Sequence, residues 1–554
     1  MLKNDNEKTD TRESAAWALG RQSTLTDSAI ESIIATLNDR NADVRFAAAL
    51  ALHNQSTLPD SAIESLSATL KDKDTFTRGL AVGALGNKST LPESTIQSLV
   101  ATLKDNDRFA AEALRTPSTL PESAIQSLIA TFKDEDQDVR RLAVLALGDR
   151  STWLESVTQS LIATLKDKDA NVRESAAWAL GLQSLLHASA APSLIAALKD
   201  EDAFVRSSAA RALSKQSTLT DSAIESLIAT LKDKDADVRK SAARALDNLS
   251  TLPISAIPSL IATLEDKNAD VRISAALALR NQSKLPESAI QSFIVSLKDH
   301  NKYIRELVES ALLGQYSPES LIQYTLPESA IQSLIATLKD GDTDIRRSAA
   351  LILSKQSALH GSTSQPLIAA LDDENADIRD SAARALGKQS TLTDSAIQSL
   401  IATLKDKDAD VRRSAARALD DLSTLHESAV PSLIATLKDG DTDIRRSAAS
   451  ALSKQSKLPK SAIEYLAATL KDDDADTRRS AALALGNQSE LPESAIQSLI
   501  DTLQNGDADV KGLAAEAMSK QPILPKLAIQ SLIAALKDEH ADVKRPSALR
   551  VHRT

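Results

Sequence analysis

The chain has no cysteine. Disulfides, thiolate-held metals and thiol nucleophiles are excluded together. Aromatic residues make up only 2% of the 554 positions, with 14 Gly and 17 Pro. No stretch approaches the roughly 18 apolar residues of a membrane span. The opening segment, MLKNDNEKTDTRE, is polar and lacks the apolar centre of a signal peptide. The expected location is therefore intracellular, in the cytoplasm. The formal charge is −11, which disfavours bulk binding to nucleic acid or to an acidic membrane. There is no Gly-rich phosphate loop. The seven His (His53, His187, His300, His360, His426, His540 and His552) are scattered without metal-ligand spacing. The expectation is a protein that is not an enzyme and needs no cofactor or metal.

What the chain has instead is a period. Arg recurs every 33 residues at Arg140, Arg173, Arg206, Arg239 and Arg272, and again at Arg346, Arg379, Arg412 and Arg445. The same series includes Arg12, Arg45, Arg78, Arg305 and Arg478, and closes on Lys511 and Lys544. Such a period marks a solenoid, in which each unit buries its apolar face against its neighbours. Length alone would suggest about three or four domains; the repeat argues for one long, curved array over residues 11–551, behind a polar tail at 1–10.

Each unit holds two helical patterns. In SAIQSLIATL, the apolar face is Ile397, Leu400, Ile401 and Leu404. In DVRRSAARAL, it is Val411, Ala415, Ala418 and Leu419. The KDKD turn between them places Asp at the positive end of the second helix. Sixteen first helices are expected. Gly20, Gly86, Gly148, Gly181, Gly387 and Gly486 follow the last Leu of second helices, where a left-handed cap would fit. Thr90-Leu91-Pro92-Glu93 has capping-box spacing, with Pro in the first turn. Pro192, Pro258 and Pro431 predict later starts for their first helices. Small Ala pairs such as Ala176-Ala177, Ala242-Ala243, Ala382-Ala383 and Ala415-Ala416 let helix axes approach closely. Five Asn-x-Ser/Thr triplets, at Asn54, Asn87, Asn248, Asn281 and Asn487, share one repeat position and read as echoes of the repeat.

The stretch LIATLKDKDADVRRSAARAL (400–419) resembles HEAT repeats, especially the short type named from phycobilisome lyases. The resemblance covers about residues 10–551. It implies an all-α, α-α superhelix that serves as a non-catalytic scaffold, binding a protein partner on its concave face. The Ser-Thr-Leu-Pro-Glu-Ser-Ala-Ile connector (118–125) is similar to repeat arrays of NACHT-type sensor proteins, which implies an alternative: the sensing or autoinhibitory region of such a receptor. A lyase-like or deoxyhypusine-hydroxylase-like enzyme is a further alternative. The hydroxylases hold iron through recurrent His-Glu pairs, and this chain offers only His426-Glu427. In HEAT-like repeats the recurring Arg pairs with Asp of the inter-helix turns, so Asp237, Asp270, Asp377, Asp410 and Asp443 are the candidate partners here.

The resemblance also implies that the residue after each ladder Arg, with those four and eight beyond, forms the ligand-facing stripe. It carries Trp17, Phe46, Leu50, Leu145 and Trp178 early in the chain. It then becomes basic: Arg211, Lys215, Lys240 and Arg244, followed by Arg347, Lys355, Arg384, Lys388, Arg413, Arg417, Arg446, Lys454 and Arg479. The Trp pair is either a protein-binding region or packing between repeats. The basic stripe either grips an acidic partner or is a solvated face balanced by nearby Asp. With few rings among the cations, nucleic acid is disfavoured.

The period breaks twice. Leu85 to Leu114 is short by about one helical turn near 104–109, and Leu312 to Leu353 is long near 313–325. Both breaks are either hinges or specialised contact loops, or else repeat drift. The chain opens at a second-helix pattern and closes on a degraded one with Pro546 and Val551. The expected state is a monomer or a piece of a larger chain.

Overall fold

The computed structural model describes residues 9–535, except 23, 89, 106–107, 117–118, 149–154, 183–188, 217–218, 250, 283–284, 315–325, 357–358, 360, 390 and 423–426. Most of the long break at 313–325 lies outside these residues, as do tail residues 1–8 and the closing pattern with Lys544, Pro546 and Val551. The described chain is helical: 32 α-helices and three short 3-10 turns. Sixteen of these are first helices, as the periodicity predicts.

The chain divides into two compact units, Met1–Leu285 and Pro286–Thr554. Both are built from the same hairpin. In the first, Asp221–Thr230 turns into Ala236–Asp247; in the second, Asp394–Thr403 turns into Ala409–Asp420. The apolar stripes face inward. Leu400, Val411, Ala415, Ala416 and Leu419 are fully enclosed, as are Leu227, Val238, Ala242, Ala243 and Leu246 or nearly so. Each buried Leu contributes roughly 1.5–3 kcal/mol, and the Ala pairs let neighbouring second helices interlock.

Turn chemistry starts each second helix. Asp408 caps Ala409–Asp420 by accepting from the N–H of Asp410 (2.9 Å) and Val411 (3.2 Å). First helices start in two ways. Thr26, Thr220 and Thr393 cap with their hydroxyls. In the Leu-Pro-Glu units the expected capping box does not form. Pro92 itself stands at the cap of Glu93–Thr102, with no side-chain bond, and its carbonyl accepts from Thr95 and Ile96. A cap needs extended backbone and a free carbonyl, and Pro supplies both. The late starts hold: Ala190–Ala197, Ala256–Thr263 and Val430–Thr436 are shorter than the ten residues of Asp394–Thr403.

The glycine expectation is corrected. Gly20, Gly86, Gly181, Gly387 and Gly486 are the last helical residues of second helices, and the one described glycine with positive φ is Gly314. Their role is close approach. A Cβ at Gly181 would lie 2.8 Å from Ala212 Cα, and one at Gly387 2.9 Å from Ala418 Cβ. Gly148 follows its helix with φ −63° and clears space for Trp178. The short break near 104–109 trims a second helix to Arg108–Arg115, eight residues after the 3-10 turn Leu103–Asp105.

Candidate partner interface

The recurrent Arg forms a ladder. Arg206 Nε and Nη2 donate to the two carboxylate oxygens of Asp233 (2.7 and 2.8 Å), while Nη1 donates to the carbonyls of Asp200 and Glu201 (2.8 and 3.0 Å). One guanidinium thus closes its own turn and bolts it to the next. The same bond joins Arg140 to Asp167, Arg173 to Asp200 and Arg239 to Asp266 in the first unit. In the second it joins Arg346 to Asp373, Arg379 to Asp406, Arg412 to Asp439 and Arg445 to Asp472. Arg272 holds the carbonyls of Asp266 and Lys267.

The partners differ from those expected. Asp237, Asp270, Asp377, Asp410 and Asp443 stand two residues before the ladder Arg, on its own helix; Asp270, Asp410 and Asp443 pair instead with the stripe cations Lys240, Arg413 and Arg446. The true partner is an Asp of the next turn, 27 residues after the Arg. Its carboxylate is fully used: Asp233 also accepts from the Asp235 N–H at 2.8 Å. Burial raises its pKa, but Arg206 and that N–H outweigh burial and hold it below the ordinary carboxylate value.

Two further ladders were not anticipated. Gln488, buried, accepts from Leu458 N–H (2.7 Å) and donates to the Gln455 carbonyl (2.8 Å). Gln55 and Gln521 do the same one repeat spacing apart from their partners. The Asn of the triplets ties helix ends together: Asn54 donates to Gly20 O, Asn248 to Ser214 O and Asn487 to Ser453 O. The recurring Asn-Gln-Ser was their visible signal.

In the first unit the stripe is partly apolar. Trp17 is 38% exposed and its ring centroid lies 6.0 Å from that of Phe46. Trp178 is half-buried. It fills the space over Gly148, and the Arg115 guanidinium stands 5.7 Å from its ring centre. Trp178 is thus engaged between repeats, whereas Trp17 keeps an open edge. Glu174, beside it on the stripe, accepts from Ser208 at 3.4 Å, and burial pushes its carboxyl up. Lys240 pairs with Asp270 across one repeat; Arg211, Lys215 and Arg244 are exposed.

In the second unit the basic stripe splits into two kinds of cation. Arg413 bonds Asp410 on its own helix and Asp441 of the next turn. Arg446 repeats the pattern with Asp443 and Asp474, both at 2.9 Å. Donating to Asp441 and Asp474 raises the pKa of these two guanidiniums further. They form a second ion-pair ladder. Arg384 bonds Asp380, Lys454 stands 3.4 Å from Asp420, and Arg347 stands 3.8 Å from Asp344. Lys355, Lys388, Arg417 and Arg479 are exposed, and their side chains have no partner among the described residues. Between helices Ala376–Gly387 and Ala409–Asp420 lies a cleft of about 410 Å³, lined by Asp377, Asp380, Arg384, Asp408, Asp410, Arg413, Ser414 and Arg417.

No described helix is long and apolar enough to cross a membrane. No curated protein matches the chain. A crystal structure of an engineered protein aligns at 22% identity, covering 40% of this chain and 97% of that one, with a TM-score of 0.28. The HEAT repeats family matches ten overlapping stretches that together span 1–313 and 364–551, leaving out the region of the long break. That match carries the repeat and nothing finer, and by it the chain belongs to the HEAT repeat family.

Proposed function

We propose that this chain is a non-catalytic protein-interaction scaffold and that partners bind the layer of second helices. The carrying observation is the contrast between its two faces. On the first-helix face some outward polar groups are spent on the neighbouring repeat: Gln398 donates to Ser428, in the turn before the next first helix, and Gln365 to Ser395. The second-helix layer leaves exposed cations at Lys355, Lys388, Arg417 and Arg479 in the second unit, without partners among the described residues, and an open Trp17 edge in the first. Trp and Arg of this kind are enriched where partners bind. Within each unit the second helices also pack more closely than the first helices do, which makes theirs the inner layer, where a bound chain meets several repeats at once.

The partner-facing set is therefore Lys355, Arg384, Lys388, Arg417, Arg479 and Trp17. Arg413 and Arg446 support the surface, and Trp178 braces repeats. The test is affinity capture from native lysate with wild type, with Arg384→Glu/Arg417→Glu and with Trp17→Ala. A partner held by wild type and lost from either folded variant supports the reading. Partners held equally by all three, with no footprint on second helices, contradict it.

A further inference from the structure

We infer that the cleft between Ala376–Gly387 and Ala409–Asp420 is the centre of a site for an extended acidic peptide segment, whose central carboxylate bridges Arg384 and Arg417. The inference rests on the scaffold reading and names its partner class. Arg384 and Arg417 occupy the same register position, 33 residues apart, on adjacent second helices, and both line the cleft. The Arg417 side chain has no partner among the described residues. Arg384 is 42% exposed at its side chain and spends one nitrogen on Asp380. That leaves donors free on both guanidiniums, in the fork geometry that receives a carboxylate.

The lining carries four Asp against three Arg, and every one of these acids but Asp377 is already engaged. Asp380 is filled from two sides, by Arg384 and by Ser414 at 2.5 Å. Asp410 is bonded to Arg413, and Asp408 caps its helix. Asp377 is exposed in the first turn of its helix, while Arg384 and Arg417 stand in the last turns. The cleft thus has an acidic edge and a basic edge. Lys388, one turn beyond Arg384, and Lys355, just after the preceding second helix Thr343–Ser354, extend the basic edge.

Spacing selects an extended segment. Packed helices stand about 8–10 Å apart and an extended chain advances about 3.3 Å per residue, so every third side chain meets the next helix. An acidic residue at every third position would meet Lys355, the Arg384–Arg417 pair and the cations beyond in order.

The experiment titrates the full chain into a fluorescent peptide with glutamate at every third position, followed by anisotropy at low and at physiological salt. A matched glutamine peptide and a single-stranded oligonucleotide serve as comparison probes. The variants are Arg384→Gln/Arg417→Gln and, removing the same charge from an exposed turn, Lys405→Gln/Lys407→Gln; folding of each is checked by circular dichroism. The glutamate peptide should bind, the glutamine peptide at least about tenfold more weakly, and the Arg pair variant should lose about tenfold or more while the Lys pair variant loses little. Equal loss in both variants, or absence of glutamate-peptide binding, overturns the proposal. Tighter binding of the oligonucleotide through the same two Arg overturns the peptide as occupant. If the acidic site fails while lysate partners still depend on Trp17, the scaffold reading survives and this one does not.

Discussion

Arg206 holds both oxygens of Asp233, 27 residues on, and at the same time two carbonyls of its own turn. This rung is nearly enclosed, with side-chain exposures of 6% and 14%. Breaking one side strands a charge. Arg206→Met is therefore expected to destabilise the chain by about 3–5 kcal/mol, with the loss concentrated in the repeats around 200–247 because stability is carried between neighbours. Hydrogen exchange of the variant checks both size and location.

The ladder also sets an acid limit. At Asp167, Asp200, Asp233, Asp373, Asp439 and Asp472 burial raises the pKa, and the paired Arg with a backbone N–H lowers it below the ordinary 3.8. At Asp406 the bond from Arg379 is itself the largest influence. A depressed carboxylate stabilises fully above its unfolded value and loses that contribution as pH falls through the folded one. Denaturant midpoints should stay level between about pH 7 and 5 and fall steeply below about pH 4. A level midpoint down to about pH 2 would contradict the rungs.

Glu174 should behave in the opposite sense. Burial raises its pKa, partly offset by Ser208. Its ionised form is therefore disfavoured on folding, and stability is lost as pH rises through the folded value. Glu174→Gln is expected to raise the melting temperature more at pH 8 than at pH 4. Melting curves at those two values decide it.

Gly181 tests close approach. Gly181→Val places side-chain atoms against Ala212, where even a Cβ meets Cα at 2.8 Å, and should cost about 1–3 kcal/mol. Gly341→Ala meets nothing within 4 Å and should be neutral or stabilising by up to about 1 kcal/mol. Chemical denaturation of the pair separates packing from any general effect of losing glycine.

These cases mark how far the residues alone could be read. The hairpins, their apolar faces and the Pro-shortened helices were legible, because each follows from spacing within about thirty residues. The roles of Gly181 and Asp233 were not, for a shared reason. Their partners, Ala212 and Arg206, belong to other repeats, and which atoms meet depends on how hairpins stack. Gln488 was overlooked because its period coincides with that of the Asn triplets, which draw attention first. On the stripe, the change from apolar to basic residues was visible. The division of Arg into paired Arg413 and open Arg417 was not, because it depends on Asp441 arriving from the next turn.

The most direct test of the account is a hydrogen-exchange footprint of the full chain with a captured partner bound. The account predicts protection along second helices, in 376–387 and 409–420 or around Trp17, with the first helices between them unchanged. Protection confined to first helices such as Asp394–Thr403 would contradict it.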